Sequence, residues 1–134
     1  MPYKELNKIM VVEDEIDIQT VIKYALENVG KLKVKYCYSG EEALQQAETF
    51  SPDMILLDVM MPKMDGISTL QEIRKIPSLK NTPVIFMTAK AQANEVSYYN
   101  ELNILDVILK PFDAMTLSES LHTSWRKYHE KQQN

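Results

Sequence analysis

Five short apolar runs punctuate the chain: Ile9 to Val12, Val34 to Tyr38, Met54 to Leu57, Val84 to Met87 and Val107 to Leu109. All but the second are nearly unbroken in apolar residues, as strands covered on both faces should be. The second alternates, with Val34, Tyr36 and Tyr38 on one side and Lys33, Lys35 and Cys37 on the other, which suits a half-exposed edge strand. Between the runs the period becomes helical. Ile18, Val21, Ile22, Ala25 and Val29 predict one buried stripe. Ser39 and Glu42 form a capping box ahead of a helix carrying Ala43, Leu44 and Ala47. Asp65 is placed as the cap of a third helix, with Ile67, Leu70 and Ile73 or Arg74 behind it. A fourth, less regular helix is predicted from about Gln92 to Leu102. Asp113 is placed as the cap of the last, where Leu117, Leu121 and Trp125 recur every fourth residue.

Strands separated by helices cannot pair as hairpins, so the sheet should be parallel with right-handed crossovers. The fold class expected is α/β: a doubly wound, five-stranded parallel sheet flanked by five helices. Its order, 2-1-3-4-5, is matched to the flavodoxin-like arrangement rather than derived. No repeat or internal linker divides the chain, so residues 1–134 read as one domain with a core of about 7–124 and a short polar C-terminal tail. In such sheets ligands bind beyond the carboxyl ends of the strands, where the order reverses. The predicted ends there are Glu13-Asp14-Glu15, Asp58, Thr88-Ala89 and Lys110-Pro111.

Composition narrows the setting. The chain is 45% hydrophobic and 25% charged, ordinary for a globular protein. It has 15 basic and 19 acidic residues, a net charge of -4, and no basic stripe of the kind nucleic acid requires. Arg126, Lys127 and Lys131 read as a helix end complementing its own dipole. Cys37 is the one cysteine, so an internal disulfide is excluded and the residue reads as packing. No apolar run approaches the roughly 20 residues of a membrane span, and the polar N-terminus does not read as a signal peptide. A cytoplasmic protein is expected.

The converging strand ends suggest chemistry. Crowded carboxylates repel and call for a cation. Oxygen ligands without cysteine or paired histidine favour Mg²⁺ over zinc, with Mn²⁺ a possible substitute. A lysine on the same rim would balance added phosphate charge, and a threonine hydroxyl could donate to it. Asp58 then becomes the natural nucleophile, because carboxylates can form acyl phosphates. The cation and Lys110 would stabilise the transferring phosphoryl group.

Val11-Val12-Glu13-Asp14-Glu15, Leu56-Leu57-Asp58-Val59-Met60-Met61-Pro62-Lys63-Met64-Asp65-Gly66, Met87-Thr88-Ala89 and Leu109-Lys110-Pro111-Phe112 resemble the motifs of bacterial response-regulator receivers. They stand in the family's order and cover roughly Asn7 to Ser124. The resemblance implies that Asp58 is the phosphorylation site. It further implies that Asp14 and Asp58 ligate the metal, with Glu13 acting through water and Met60 through its backbone carbonyl. Thr88 and Lys110 would contact the phosphoryl group after transfer, and Lys110-Pro111 would be cis. The partners implied are a sensor histidine kinase or histidine phosphotransfer protein and a downstream protein effector. Met60 and Lys90, two residues beyond Asp58 and Thr88, would tune dephosphorylation.

Several residues have plainer readings. Asp14 could cap the first helix with Asp17 in its first turn. Pro62, Asp65 and Gly66 are assigned to a turn and helix start, and Met61 and Met64 to core filling. His122 and His129, lacking acidic or cysteine companions, read as surface residues rather than a metal site. One departure from the family stands out. Val107 occupies the place of the family's switching tyrosine or phenylalanine, and Asn103-Ile104 stands where a glycine-alanine step is usual. Tyr98 or Tyr99 could substitute.

The function expected is a two-component receiver phosphorylated on Asp58, with no turnover of an outside substrate. An aspartyl-phosphate phosphohydrolase would want an aspartate where Met60 stands. A flavodoxin-like cofactor binder would want a small-residue phosphate loop in place of Glu13-Asp14-Glu15, and a pseudo-receiver would show a degraded acidic site. No effector sequence follows Asn134, so the chain reads as a stand-alone docking protein or the receiver of a longer one.

Overall fold

A computed structural model describes residues 3–89, 97–99 and 101–132. Five strands form one parallel sheet: β1 (Lys8–Val12), β2 (Lys33–Cys37), β3 (Met54–Asp58), β4 (Val84–Thr88) and β5 (Asp106–Leu109). Their order is β2-β1-β3-β4-β5, as expected. The apolar runs of β1, β3 and β4 have no polar face because the sheet has two half-cores. Met10, Val12, Ile55, Leu57 and Phe86 pack with Ala43, Ala47, Leu70 and Ile73 on one side. Ile9, Val11, Met54, Leu56, Ile85 and Met87 pack with Ile22, Leu26, Leu121 and Trp125 on the other.

The edges behave differently. In β2 the alternation holds: Cys37 is buried in the first half-core while Val34 and Tyr36 lean on the second. Burial pushes the Cys37 thiol up to about 12, with Glu42 adding to the effect, so it is a packing residue with little thiolate character. The fifth strand departs from expectation. It lies at the opposite edge, with Asp106 and Leu109 exposed and Val107 and Ile108 half-buried. Three apolar residues in a row do not distinguish a covered strand from an edge strand.

Helix α1 (Ile16–Lys23) continues into a π-helical segment (Tyr24–Val29). The predicted stripe shifts there: Val21 is exposed, and Gln19 is buried beside Ile22, Ala25 and Leu26. Gln19 is tolerated inside because its amide donates to the carbonyls of Glu13 (2.8 Å) and Cys37 (3.0 Å). Helix α2 (Gly40–Phe50) is capped as expected, Ser39 Oγ accepting from the Glu42 amide at 3.0 Å. Helix α3 (Gly66–Ile73) is capped by Asp65 Oδ1, which accepts from the Ser68 amide at 2.8 Å. Residues 97–99 and 101 are helical, and the rest of the predicted fourth helix, with Gln92, lies outside the described residues. The C-terminal helix (Leu117–Gln132) begins later than its expected cap. Asp113 Oδ1 accepts from the Met115 amide at 2.8 Å and so organises the preceding turn. Among the described residues no helix is long and apolar enough to cross a membrane.

Asp53, ahead of β3, ties the start of β1 to the sheet. Its Oδ2 accepts from the amides of Asn7 (3.0 Å) and Lys8 (2.8 Å), and its Oδ1 lies 2.9 Å from Lys4 Nζ. Burial opposes its ionisation, but Lys4 and the two amides outweigh that and hold the carboxyl below the usual aspartate range. Its contribution is therefore complete above the unfolded pKa and is lost as pH falls through the lower folded value. Lys4 is largely exposed, so most of the effect belongs to the amides. Asp53→Ala should cost about 1.5–3 kcal/mol in urea unfolding at neutral pH, the range for hydrogen bonds to a charged group. The difference should shrink in acid; an unchanged midpoint at pH 7 would contradict this role.

Candidate functional site

The carboxyl ends of β1, β3, β4 and β5 bring the predicted residues onto one rim. Glu13, directly after β1, is fully buried. Its amide donates to the Cys37 carbonyl at 3.0 Å, and its own carbonyl is held by Gln19. Its carboxylate is fixed at both oxygens: Oε2 accepts from the Glu15 amide at 3.0 Å and Oε1 from Lys110 Nζ at 2.6 Å. Asp58 ends β3 and is 2% exposed. Its Oδ1 lies 3.2 Å from the same ammonium and 3.4 Å from the Met60 amide, which donates to it. Lys110 follows β5, its amide donating to the Thr88 carbonyl at 2.9 Å. Thr88, 3% exposed, ends β4 one residue beyond Met87, which pairs with Asp58. The Lys110-Pro111 bond is cis, as the resemblance implied.

The loop after Asp58 folds tightly back under the site. The Val59 amide donates to the Met87 carbonyl (3.0 Å) and the Gly66 amide to the Val59 carbonyl (2.9 Å). A methyl group on Gly66 would overlap the Asp58 carbonyl oxygen and Val59 Cα, so the loop closes here because residue 66 has no side chain. The structural reading of Gly66 and Asp65 is borne out. Met61 is buried in the core and Met64 packs against Gly40, whereas Met60 is 76% exposed beside Asp58. Lys90 lies outside the described residues.

Charge on the rim is unbalanced. Burial pushes the Glu13 carboxyl up to about 7, with Asp58 adding to the effect and Lys110 and the Glu15 amide opposing it. Burial disfavours the Lys110 cation, yet its contacts with Glu13 and Asp58 win and hold its pKa above the ordinary lysine value. Glu13, Asp14 and Asp58 offer carboxylate oxygens all within 4.8 Å of one another. The capping alternative for Asp14 does not hold: Glu15 is the N-cap of α1 and no side chain caps it. Asp14 Oδ1 is buried without a hydrogen-bond partner among the described residues. A buried, unpartnered carboxylate oxygen is costly in water-poor surroundings, and beside two further carboxylates it fits a hard divalent cation.

Some features were invisible in the sequence. Gln19 lies outside the predicted apolar stripe, and nothing local shows that it braces Glu13. His122 is exposed as expected, but His129 is not a free surface residue. It stacks on Tyr3 (4.7 Å between centroids) and meets Trp125 edge-on at 4.3 Å. Neither histidine joins a metal-ligating cluster among the described residues. Tyr99 is buried against Phe86 (5.3 Å) in the half-core that Val107 also contacts, while Tyr98 is exposed.

A cation at this cluster must compete with the proton on Glu13. Mg²⁺ should therefore raise the melting temperature, and by more at pH 8 than at pH 6, because Glu13 is protonated below about 7. At a hundredfold excess over its dissociation constant the gain should be about 2.7 kcal/mol. Chelation should reverse it and Asp14→Asn should remove most of it; a rise equal in both proteins would sink the assignment.

Comparison with known proteins agrees with this geometry. Residues 9–122 match the family model described as the response regulator receiver domain. The chain is 42% identical over 121 residues to the alkaline phosphatase synthesis transcriptional regulatory protein PhoP of Bacillus subtilis (strain 168), covering 90% of this chain and 49% of that protein. It is 37% identical over 131 residues to the transcriptional regulatory protein CpxR of Escherichia coli (strain K12), covering 96% and 54% respectively. The chain thus spans about half the length of the curated relatives it matches. Among solved structures, chemotaxis protein CheY4 of Vibrio cholerae superposes with a TM-score of 0.82 at 27% identity, over 89% of this chain and 98% of that one. The receiver domain of the Francisella response regulator 1452 gives 0.80 at 30% identity, over 91% and 98%. With its parallel sheet of order 2-1-3-4-5, its rim of clustered carboxylates beside Lys110 and a family match over residues 9–122, this chain belongs to the response regulator receiver domain family.

Proposed function

We propose that Asp58 accepts a phosphoryl group from a phosphohistidine of a sensor histidine kinase or histidine phosphotransfer protein. The observation that carries this reading is the ammonium of Lys110 shared by Glu13 and Asp58, beside an Asp14 oxygen with no partner among the described residues. An Asp58 carboxylate oxygen attacks phosphorus in line with the breaking P–N bond. The electron pair of that bond stays on the imidazole, and Asp58 becomes an acyl phosphate. Asp14, Asp58 and the Met60 carbonyl would hold Mg²⁺, or Mn²⁺ in its place, with Glu13 acting through water. The ion would neutralise charge on the phosphoryl oxygens.

Lys110 supplies the remaining positive charge. Its ammonium lies 3.2 Å from Asp58 Oδ1, close enough to follow the charge as it moves onto the phosphoryl group. The Thr88 hydroxyl is the donor that would bond a phosphoryl oxygen from the end of β4. These contacts exist in the phosphorylated state alone, and such differential contacts are what shift a two-state equilibrium. With Val107 lacking an aromatic ring, Tyr99 packed on Phe86 is the aromatic residue placed to respond when Thr88 moves. A downstream protein would read the altered face. The chain performs one self-directed transfer and the hydrolysis of its own acyl phosphate, which frees the Asp58 carboxylate and inorganic phosphate, and turns over no outside substrate. Exposed Met60 stands where attacking water must pass, so its exchange for a polar residue should change the acyl phosphate lifetime; equal decay rates would remove it from that role.

Incubation with acetyl phosphate and Mg²⁺, followed by intact-mass measurement, tests the central step. Wild type should gain the mass of one phosphoryl group, labile at alkaline pH, and Asp58→Asn should gain none. No gain in wild type, or an equal gain in the variant, would overturn the reading.

A further inference from the structure

At the amino ends of β4 and β5 lies a depression of about 810 Å³, inside the range of about 300–1,000 Å³ typical of small-molecule sites. It is bounded by the end of α3, the turn before β4, the residues preceding β5 and the last turns of the C-terminal helix. Arg74, Lys80, Lys127 and Lys131 line it, and no aspartate or glutamate does. In a chain with 19 acidic and 15 basic residues, such segregation is not the average surface. None of these four cations joins an ion pair among the described residues.

Parts of the wall are fixed in place. Arg74 Nη1 donates to the carbonyls of Thr82 (2.6 Å) and Leu79 (3.4 Å), holding a half-buried guanidinium at the floor. Tyr128 donates to the Asn81 carbonyl at 3.4 Å and packs edge-on to His129 at 5.1 Å. Asn81 and Asn103 line the same rim. A positioned guanidinium and three exposed ammoniums suit phosphate oxygens. A propped aromatic ring and two amides suit a planar base with donors and acceptors on its edge.

We propose that this depression binds a small organic polyphosphate of the nucleotide class, its phosphates on Arg74 and the lysines and its base beside Tyr128. The site is distinct from the Asp58 rim. It lies at the opposite ends of the strands, and a five-residue strand spans about 15 Å. It would give the receiver a second input that does not use the phosphoacceptor.

The test is an amide NMR titration of the whole chain with Mg²⁺-free ATP. Saturable shifts should appear at Asn81, Asn103 and Tyr128 and not at Glu13 or Asp58. The Lys127→Gln/Lys131→Gln double variant, altered at two exposed positions, should bind at least about tenfold more weakly. Inorganic tripolyphosphate should shift the same amides with lower affinity, since it lacks the base. The proposal is overturned by no saturation, by shifts confined to the Asp58 rim, or by unchanged affinity in the double variant. Tripolyphosphate binding as tightly as ATP, or a DNA duplex saturating the same amides more tightly, would equally contradict it.

Discussion

Among the described residues of the rim one ammonium serves carboxylates that outnumber it, and the rest of the site depends on that constraint. Lys110 lies within 2.6 Å of Glu13 and 3.2 Å of Asp58, and Asp14 completes the cluster with no partner for its Oδ1 among the described residues. Burial pushes the Glu13 carboxyl up to about 7, with the neighbouring Asp58 charge adding to the effect. Such a cluster could hold a divalent cation. That crowding is the ground on which Asp58 is proposed as the phosphoacceptor.

The fold keeps those charges together. A parallel sheet sends every strand's carboxyl end to the same rim, and β1 and β3 are neighbours at the point where the order reverses. Two half-cores make β1, β3 and β4 rigid, so their last residues are held by packing on both faces. The loop from Asp58 to Gly66 closes because position 66 tolerates no side chain. Gln19 fixes the Glu13 and Cys37 carbonyls from the helix side. Rigid scaffolding matters here because a carboxylate and an ammonium a further ångström apart would lose about a quarter of their Coulomb attraction and fall outside hydrogen-bond range.

Legibility in the sequence followed the range of the interaction. The two local side-chain caps at Ser39 and Asp65 were readable, because a cap is a contact across three residues. The strand order and the convergence of Glu13, Asp58, Thr88 and Lys110 were readable through topology and motif. Residues whose roles are set by distant neighbours were not. Gln19 is buried because two carbonyls await it, Val21 is exposed although it fits the apolar stripe, and His129 is enclosed by Tyr3 and Trp125. Asp113 was placed one turn early because helix periodicity says nothing about an intervening turn. The half-exposed β5 was misjudged since Val107 to Leu109 is too short a run to show alternation.

The burial and crowding of carboxylates at Glu13, Asp14 and Asp58 can be observed directly. Carboxyl carbon NMR of the metal-free protein across pH should find Glu13 titrating near 7, pushed up by its burial. Saturating Mg²⁺ should move that titration down towards the ordinary glutamate range as the cation takes the proton's place. A Glu13 carboxyl that titrates in the ordinary range without metal, and ignores Mg²⁺, would contradict the account.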